Sequence, residues 1–530
     1  MEDIRVTQIK SSDDPLIKKE NIVLLFCSVG LGILFEVLFY KKPLGLSYPL
    51  FTIAFYATLF WNLRGSLDFK LDFKWLLSIP ILALSFTYLF FANELFMALN
   101  FLAIPVLIVA NTLLLTPNHR YSWFESGFLA DLVYGMIARP LLNFIKPFSI
   151  ISRATRRKTE PGRFAVAGKV LLGLLISIPL VMVIVSLLAS ADEVFNHFVG
   201  RIPNLFGNIN LDDFIAKVFI VTIVSCLVFS YLWSLLYQRM RVTEGMVRSQ
   251  TAPSYRFMDP VTVITILALV DGIYILFTII QFSYLFGSLS IGLPDNFTYA
   301  QYARRGFFEL VAVTLINLVI LLGNINFIKA VGARVDKAAK VLNSALVVCT
   351  LIMLFSAHFR MSLYEEAYGY TYLRVLTHAF MLFLFILLAA TLYKVWKEKM
   401  SLLKAYIVIS IIAYTGINYA NIDVVIAKKN IERYAVEKSI DISYLTSLSD
   451  DAVPYLVKFM ESGPDKEFVK QLENMLYERK ERLERKSSTW QSFNVARYRA
   501  RTQLGRVGLT YDPAAAEQMG INPSIYQQER

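Results

Sequence analysis

Long apolar runs alternate with short polar connectors over most of this chain. A run of about 20 apolar residues is the length a helix needs to cross a hydrocarbon core of roughly 30 Å. Eleven such spans are predicted, at 21–40, 47–63, 75–92, 95–115, 165–189, 213–237, 260–286, 306–328, 341–359, 373–394 and 401–420. Pro80 and Pro105 fall inside the third and fourth spans, where neighbouring helices can satisfy the carbonyls they free. The two-residue alternation of a membrane β-barrel is absent. The first span follows the mixed-charge segment MEDIRVTQIKSSDDPLIKKE without a small-residue cleavage site, so it is expected to be a retained helix. The pattern predicts an all-α, polytopic transmembrane helical bundle.

After residue 421 the pattern becomes that of a soluble segment, with 17 Lys and Arg against 16 Asp and Glu in the last 110 residues. SDDAVPYLVKFM places Val453, Leu456 and Met460 on one face of a short helix behind a serine cap. GPDKEFVKQLENMLYERKERLERK predicts a second helix, with Phe468, Leu472, Met475 and Leu476 on one face. Glu478 with Arg482 and Glu481 with Arg485 add support at i,i+4. The expected organisation is a four-helix membrane region over 1–115, a basic loop with an amphipathic helix over 116–164, a seven-helix core over 165–420 and a small extracytoplasmic helical domain over 421–530. Within the basic loop, Leu129, Leu132, Val133 and Met136 share a helical face ahead of SRATRRKTEPGR, the pattern of a helix lying in the bilayer interface.

Composition sharpens this picture. Charged residues are 18% of the chain, against about 25% in ordinary globular domains. The net charge of +12 is unevenly placed. With the N-terminus inside, the inner connectors carry 27 Lys and Arg and the outer ones 6. That asymmetry predicts a cytoplasmic N-terminus and an outer C-terminus. Basic residues along the inner face meet anionic lipid head groups, so no nucleic-acid partner is expected. Cys27, Cys226 and Cys349 are far apart and inside apolar runs, which indicates neither a disulfide framework nor a zinc site.

The candidate chemistry lies in the outer segments. In SADEVFNHF, Asp192 and Glu193 suit a helix cap, while Glu193 and His197 share the i,i+4 spacing of metal ligands without a visible third. In TYAQYARRGFFELVAV, Arg305 and Glu309 are spaced as a capping ion pair, and Arg304 beside them suits an anion. In AHFRMSLYEEAYGYTYLR, the tyrosines read as an interfacial belt. His358, Arg360, Glu365 and Glu366 are the alternative, as walls of a polar pocket. Inside the spans, Glu36, Asp271 and Gln281 stand out, because an intramembrane carboxylate is expensive and faces a cavity or partner. Asp271 reads either as a packing residue or as a proton or cation relay, with His378, Asn317, Asn324 and Asn418 as candidate partners. Walker A, HExxH, GxSxG and CxxC signatures are absent, no catalytic residue is assigned, and no metal or cofactor is expected.

The segments SADxVF, ARRGFFEL, RMSLYEEAYGYTYLR, NIDVVIAKKNIERY and YLTSLSDDAVPYL together resemble a bacterial integral-membrane family classified as a domain of unknown function. The resemblance runs from about residue 120 to residue 500. It implies membership and brings no catalytic residues with it. Two readings of function remain. One is a cell-envelope protein, enzymatic or accessory, whose outer polar site meets an anionic lipid head group, a glycan or an envelope protein. The other is an ion- or proton-coupled transporter or channel.

Overall fold

The structure, a computed structural model, describes residues 19–63, 72–116, 118–157, scattered positions from 173 to 195, 211–237, 258–285, 307–327, 332–463, 466–485 and 489–513. Within these, every regular element is helical. The described residues fall into two compact units. The first lies within 1–89, 98–241 and 488–494, the second within 90–97, 242–487 and 495–530.

The first unit holds α1 (Lys19–Phe39), α2 (Ser47–Asn62), α3 (Ser78–Phe90, its last residue excepted), most of α4 (Glu94–Leu115) and α5 (Leu211–Tyr237). Pro80 stands in the first turn of α3, where a missing N–H costs nothing, and Pro105 lies inside α4. Buried Leu24, Leu31 and Leu38 make a stripe along α1. Polar groups bind the helices within this unit: Tyr56 donates to Asn111 at 2.9 Å, and Asn100 to Thr87 at 3.0 Å. Between α4 and α5, the segment Phe128–Leu142 is a broken helix containing one π turn. Leu129, Val133 and Met136 on it are exposed, while Asp131 and Arg139 are buried. An apolar face left outward is what an interface-lying helix requires.

The second unit holds α6 (Pro260–Leu285), α7 (Phe307–Phe327), α8 (Ala333–Tyr368), α9 (Tyr372–Trp396) and α10 (Leu402–Tyr419). Leu267, Leu346, Met353, Leu384 and Leu388 form the core of these helices. At 1.5 Å per residue, the 36 residues of α8 span about 54 Å, well beyond a hydrocarbon core. The expected span 341–359 is therefore only its middle. What reads in sequence as an outer loop from 357 is helix as far as Tyr368, and the true connector is Gly369–Thr371.

The remaining elements are α11 (Ile422–Glu437), α12 (Val453–Glu461), α13 (Lys466–Arg485) and α14 (Val495–Arg506), with a short helix at Ile442–Ser447. Leu445, Leu448, Leu456, Leu472, Leu476 and Leu504 form their common core. Tyr370, Tyr372 and Leu376 of the α8–α9 corner pack against it.

Nine described helices are long and apolar enough to cross a membrane, and the protein is a multi-pass, all-α membrane protein. Of the other two expected spans, 47–63 appears as the 16-residue α2, and 165–189 lies largely outside the described residues.

Candidate functional site

Three segments far apart in sequence meet in one polar node of the second unit. The first is the tight turn Phe91–Asn93 between α3 and α4. The second is the α8–α9 corner, and the third is the pair of turns that begin α11 and α12. Asp423, in the first turn of α11, is fully buried. Its carboxylate accepts from Asn93 Nδ2 at 2.7 Å, from the Ser449 N–H at 3.0 Å and from the Tyr372 hydroxyl. Asp451 accepts from the Ala92 N–H at 2.7 Å, from Ser449 Oγ at 3.1 Å and from Asn421 Nδ2 at 3.1 Å. Burial pushes the Asp451 carboxyl above its ordinary value, opposed by these donors.

Beside this node lies a cavity of about 320 Å³. Arg479, Arg482 and Arg497 line it with Asn93, Glu94 and Asp450. Arg479 Nε stands 3.1 Å from Asp450, and the same guanidinium donates to the carbonyls of Thr446 and Leu448. Burial draws the Arg479 guanidinium below its usual value, while Asp450 opposes that. Arg497 Nε is 3.9 Å from the other Asp450 oxygen. Arg482 is exposed at the rim, within electrostatic reach of Glu478 one turn back. The lining thus carries three guanidiniums and the carboxylates of Glu94 and Asp450, with Glu478 acting on Arg482 and the Asp423 of the node acting on Arg479.

A second cluster ties α8 to α9. His378 Nε2 stands 2.9 Å from a Glu365 oxygen, off the hydrogen-bonding direction. His378 Nδ1 is 2.7 Å from His358 Nδ1, so one ring donates to the other. Glu365 is buried and its neighbour Glu366 is exposed. Gly369 turns the chain with φ +81°, and a β-carbon there would stand 2.7 Å from Asn430 Oδ1. That same oxygen accepts the Tyr370 N–H, and Asn430 Nδ2 returns a bond to the Tyr370 carbonyl, both at 2.8 Å. Arg374 lies over the Tyr364 ring at 4.3 Å. Among the described residues, no group of three or more His, Cys, Asp or Glu side chains is arranged to hold a metal ion.

The structure brings some of the expected residues together and leaves others apart. Glu365 meets His378 and His358, and Arg360 lies partly exposed on α8. Glu309 is exposed in the first turn of α7. Asp192, in the first unit, accepts the N–H groups of Val194 and Phe195 at 2.8 and 3.1 Å, and Glu193 beside it is exposed. Glu36 sits in the last turn of α1, 4.0 Å from Lys217, so it lies near a helix end. Asp271 is buried in α6 with neither oxygen hydrogen-bonded among the described residues. Gln281 continues α6, while Arg304, Arg305 and His197 lie outside the described residues. Asn93, Asp423, Asp450, Asp451, Arg479 and Arg497 were not singled out by pattern. Asp423, Asp450 and Asp451 lie in NID and SLSDD, segments that carry the resemblance but read locally as turn chemistry, and nothing in the pattern marks Asn93, Arg479 or Arg497.

No curated protein and no solved structure matches the chain. One family profile, described as a domain of unknown function (DUF4153), matches residues 78–459. The match begins at α3 and takes in the Phe91–Asn93 turn, the α8–α9 corner and the turns before α11 and α12. It covers well over half of the chain, which therefore belongs to the DUF4153 family.

Proposed function

We propose that this is a cell-envelope protein of the bacterial cytoplasmic membrane whose C-terminal helices recognise an anionic group at the outer bilayer surface. The observation that supports this most is the arginine-lined cavity beside the Asn93–Asp423–Asp451 node. Guanidinium matches phosphate and carboxylate with paired, charge-assisted bonds. Asp450 holds Arg479 and Arg497 in place, and Arg482 at the rim is the exposed guanidinium that an incoming anion meets first. The ligand class is the phosphate or carboxylate of a lipid head group or envelope glycan. The cavity sits against the corner that ends α8 and begins α9, where such a group is within reach of the bilayer. The charge asymmetry of the connectors supports a cytoplasmic N-terminus and an outer C-terminal domain.

The test is native mass spectrometry of the full chain in detergent with phosphatidylglycerol or phosphatidylcholine added. Wild type should retain the anionic lipid several-fold better, and Arg482→Gln should lose most of that preference without loss of folded protein. Equal retention of both lipids by wild type, or an unchanged preference in the variant, overturns the lipid reading. A cysteine-specific, membrane-impermeant reagent on intact cells carrying Lys458→Cys checks the side: labelling is expected, and none places the domain inside.

A further inference from the structure

Asp271 belongs to a different part of the second unit from the arginine cavity. The buried face of α6 is a narrow stripe of Val263, Leu267 and Asp271, flanked by half-buried Ile264, Val270 and Tyr274, with most of the remaining positions exposed. That stripe packs on α8. Asp271 is 2% exposed, and both of its carboxylate oxygens are without a hydrogen bond among the described residues. No lysine, arginine or histidine is paired with it among those residues. The titratable groups that feel its charge are Tyr274 on the same helix and Cys349 on α8.

Its surroundings are otherwise a run of neutral polar groups. Tyr274 donates to Asn317 of α7 at 2.8 Å, and Asn317 donates to Thr350 of α8 at 2.9 Å. Further along, Asn324 of α7 donates to Asn343 of α8 at 3.2 Å. Each of these side chains has a partner, whereas among the described residues neither oxygen of Asp271 has one. On the same helix the Thr278 hydroxyl is the other buried group without a hydrogen bond among those residues. An ionised carboxylate buried without a counter-charge is strongly unfavourable, and such groups take up a proton instead. A carboxyl kept only for packing would be expected to spend its hydroxyl on a neighbour, as the asparagines and tyrosine here do.

We propose that Asp271 is an intramembrane proton-binding site, loaded by exchange with the aqueous phase, beside the polar seam of α6, α7 and α8. It is a further function, independent of anion recognition at the C-terminal helices. The chemistry is one reversible step: the carboxylate takes a proton to give the neutral acid and returns it.

The probe is dicyclohexylcarbodiimide, an apolar reagent that enters bilayers and reacts with protonated carboxyl groups. The acid proton goes to a carbodiimide nitrogen while the carboxyl oxygen bonds to the central carbon. Rearrangement to the acylurea then loses no atoms, so the whole reagent mass stays on the peptide. Full-length protein in phosphatidylcholine liposomes is labelled over a series of buffers between about pH 6 and pH 9, and the site is mapped by peptide mass spectrometry. The expected result is a label on Asp271 that weakens several-fold as pH rises, is unaffected by sodium, and disappears in Asp271→Asn. Label confined to exposed carboxyls such as Glu309 overturns the proposal. So does label on Asp271 that is independent of pH, the mark of a locked structural proton, or label suppressed by sodium at constant pH, the mark of a cation site. Mapping on the wild-type chain keeps the test decisive even where Asp271→Asn folds poorly.

Discussion

Single residues set the geometry of the α8–α9 corner. Gly369 occupies a backbone conformation that L side chains rarely adopt, and Asn430 fills the space where a side chain would go. Gly369→Ala is expected to cost about 1–3 kcal/mol, from the left-handed conformation and the displaced Asn430 together. Thermal unfolding of the purified protein in detergent measures it; an unchanged midpoint would show that the corner relaxes freely. Residue chemistry was legible in part. Asp271 stands out in the sequence because a carboxylate inside an apolar run is costly and rare, whereas Glu365 reads there only as one wall of an outer-loop pocket. Asn93 does not stand out, because an asparagine between two spans is ordinary. Its role comes from Asp423, 330 positions away.

At the scale of elements, the two best-foreseen helices after residue 421 are α12 and α13, although α12 begins after Ala452 without a side-chain cap and Ser449 bonds Asp451 instead of capping it. Their apolar positions recur at helical spacing, and a helix exposed on one side must bury the other. Leu456 and Leu472 are fully buried, and Arg485 reaches Glu481 at 3.6 Å as the i,i+4 spacing implies. Leu456→Ala should destabilise the second unit by about 2–5 kcal/mol, while Lys458→Ala on the exposed face should stay within about 0.5 kcal/mol. Limited proteolysis of the two variants separates them; equal resistance would mean that α12 does not pack through Leu456. The boundary of α8 was harder to read. Hydropathy marks only its apolar middle, whereas the helix continues through His358 and Glu365 because backbone hydrogen bonding does not stop where apolar residues do.

For the molecule as a whole, folding of the second unit draws on buried charges that respond to pH. The folded protein holds the Asp451 proton more tightly than an unfolded chain does, because its folded value is raised. A raised group contributes stability that is fully present below the unfolded carboxylate value, about 3.9, and lost as pH rises through the folded value. Asp451→Asn removes that dependence. The unfolding midpoint of wild type minus that of Asp451→Asn is therefore expected to grow as pH falls from about 7 toward about 4. A difference that shrinks over that range would mean that the donors from Ala92, Ser449 and Asn421 outweigh burial.

By itself the sequence determined that this protein is a helical, multi-pass membrane protein with a polar C-terminal helical segment. The reason is that a lipid solvent forces long apolar helices whatever the packing between them. Tertiary structure alone decided which polar residues meet. Contacts such as Asn93 to Asp423, Ala92 to Asp451 and Tyr274 to Asn317 join turns and helices that are far apart in the sequence. Their partners are set by how the helices of this unit turn and stack, which no local periodicity records. The same packing leaves Asp271 without a partner among the described residues, and so makes it a candidate for function.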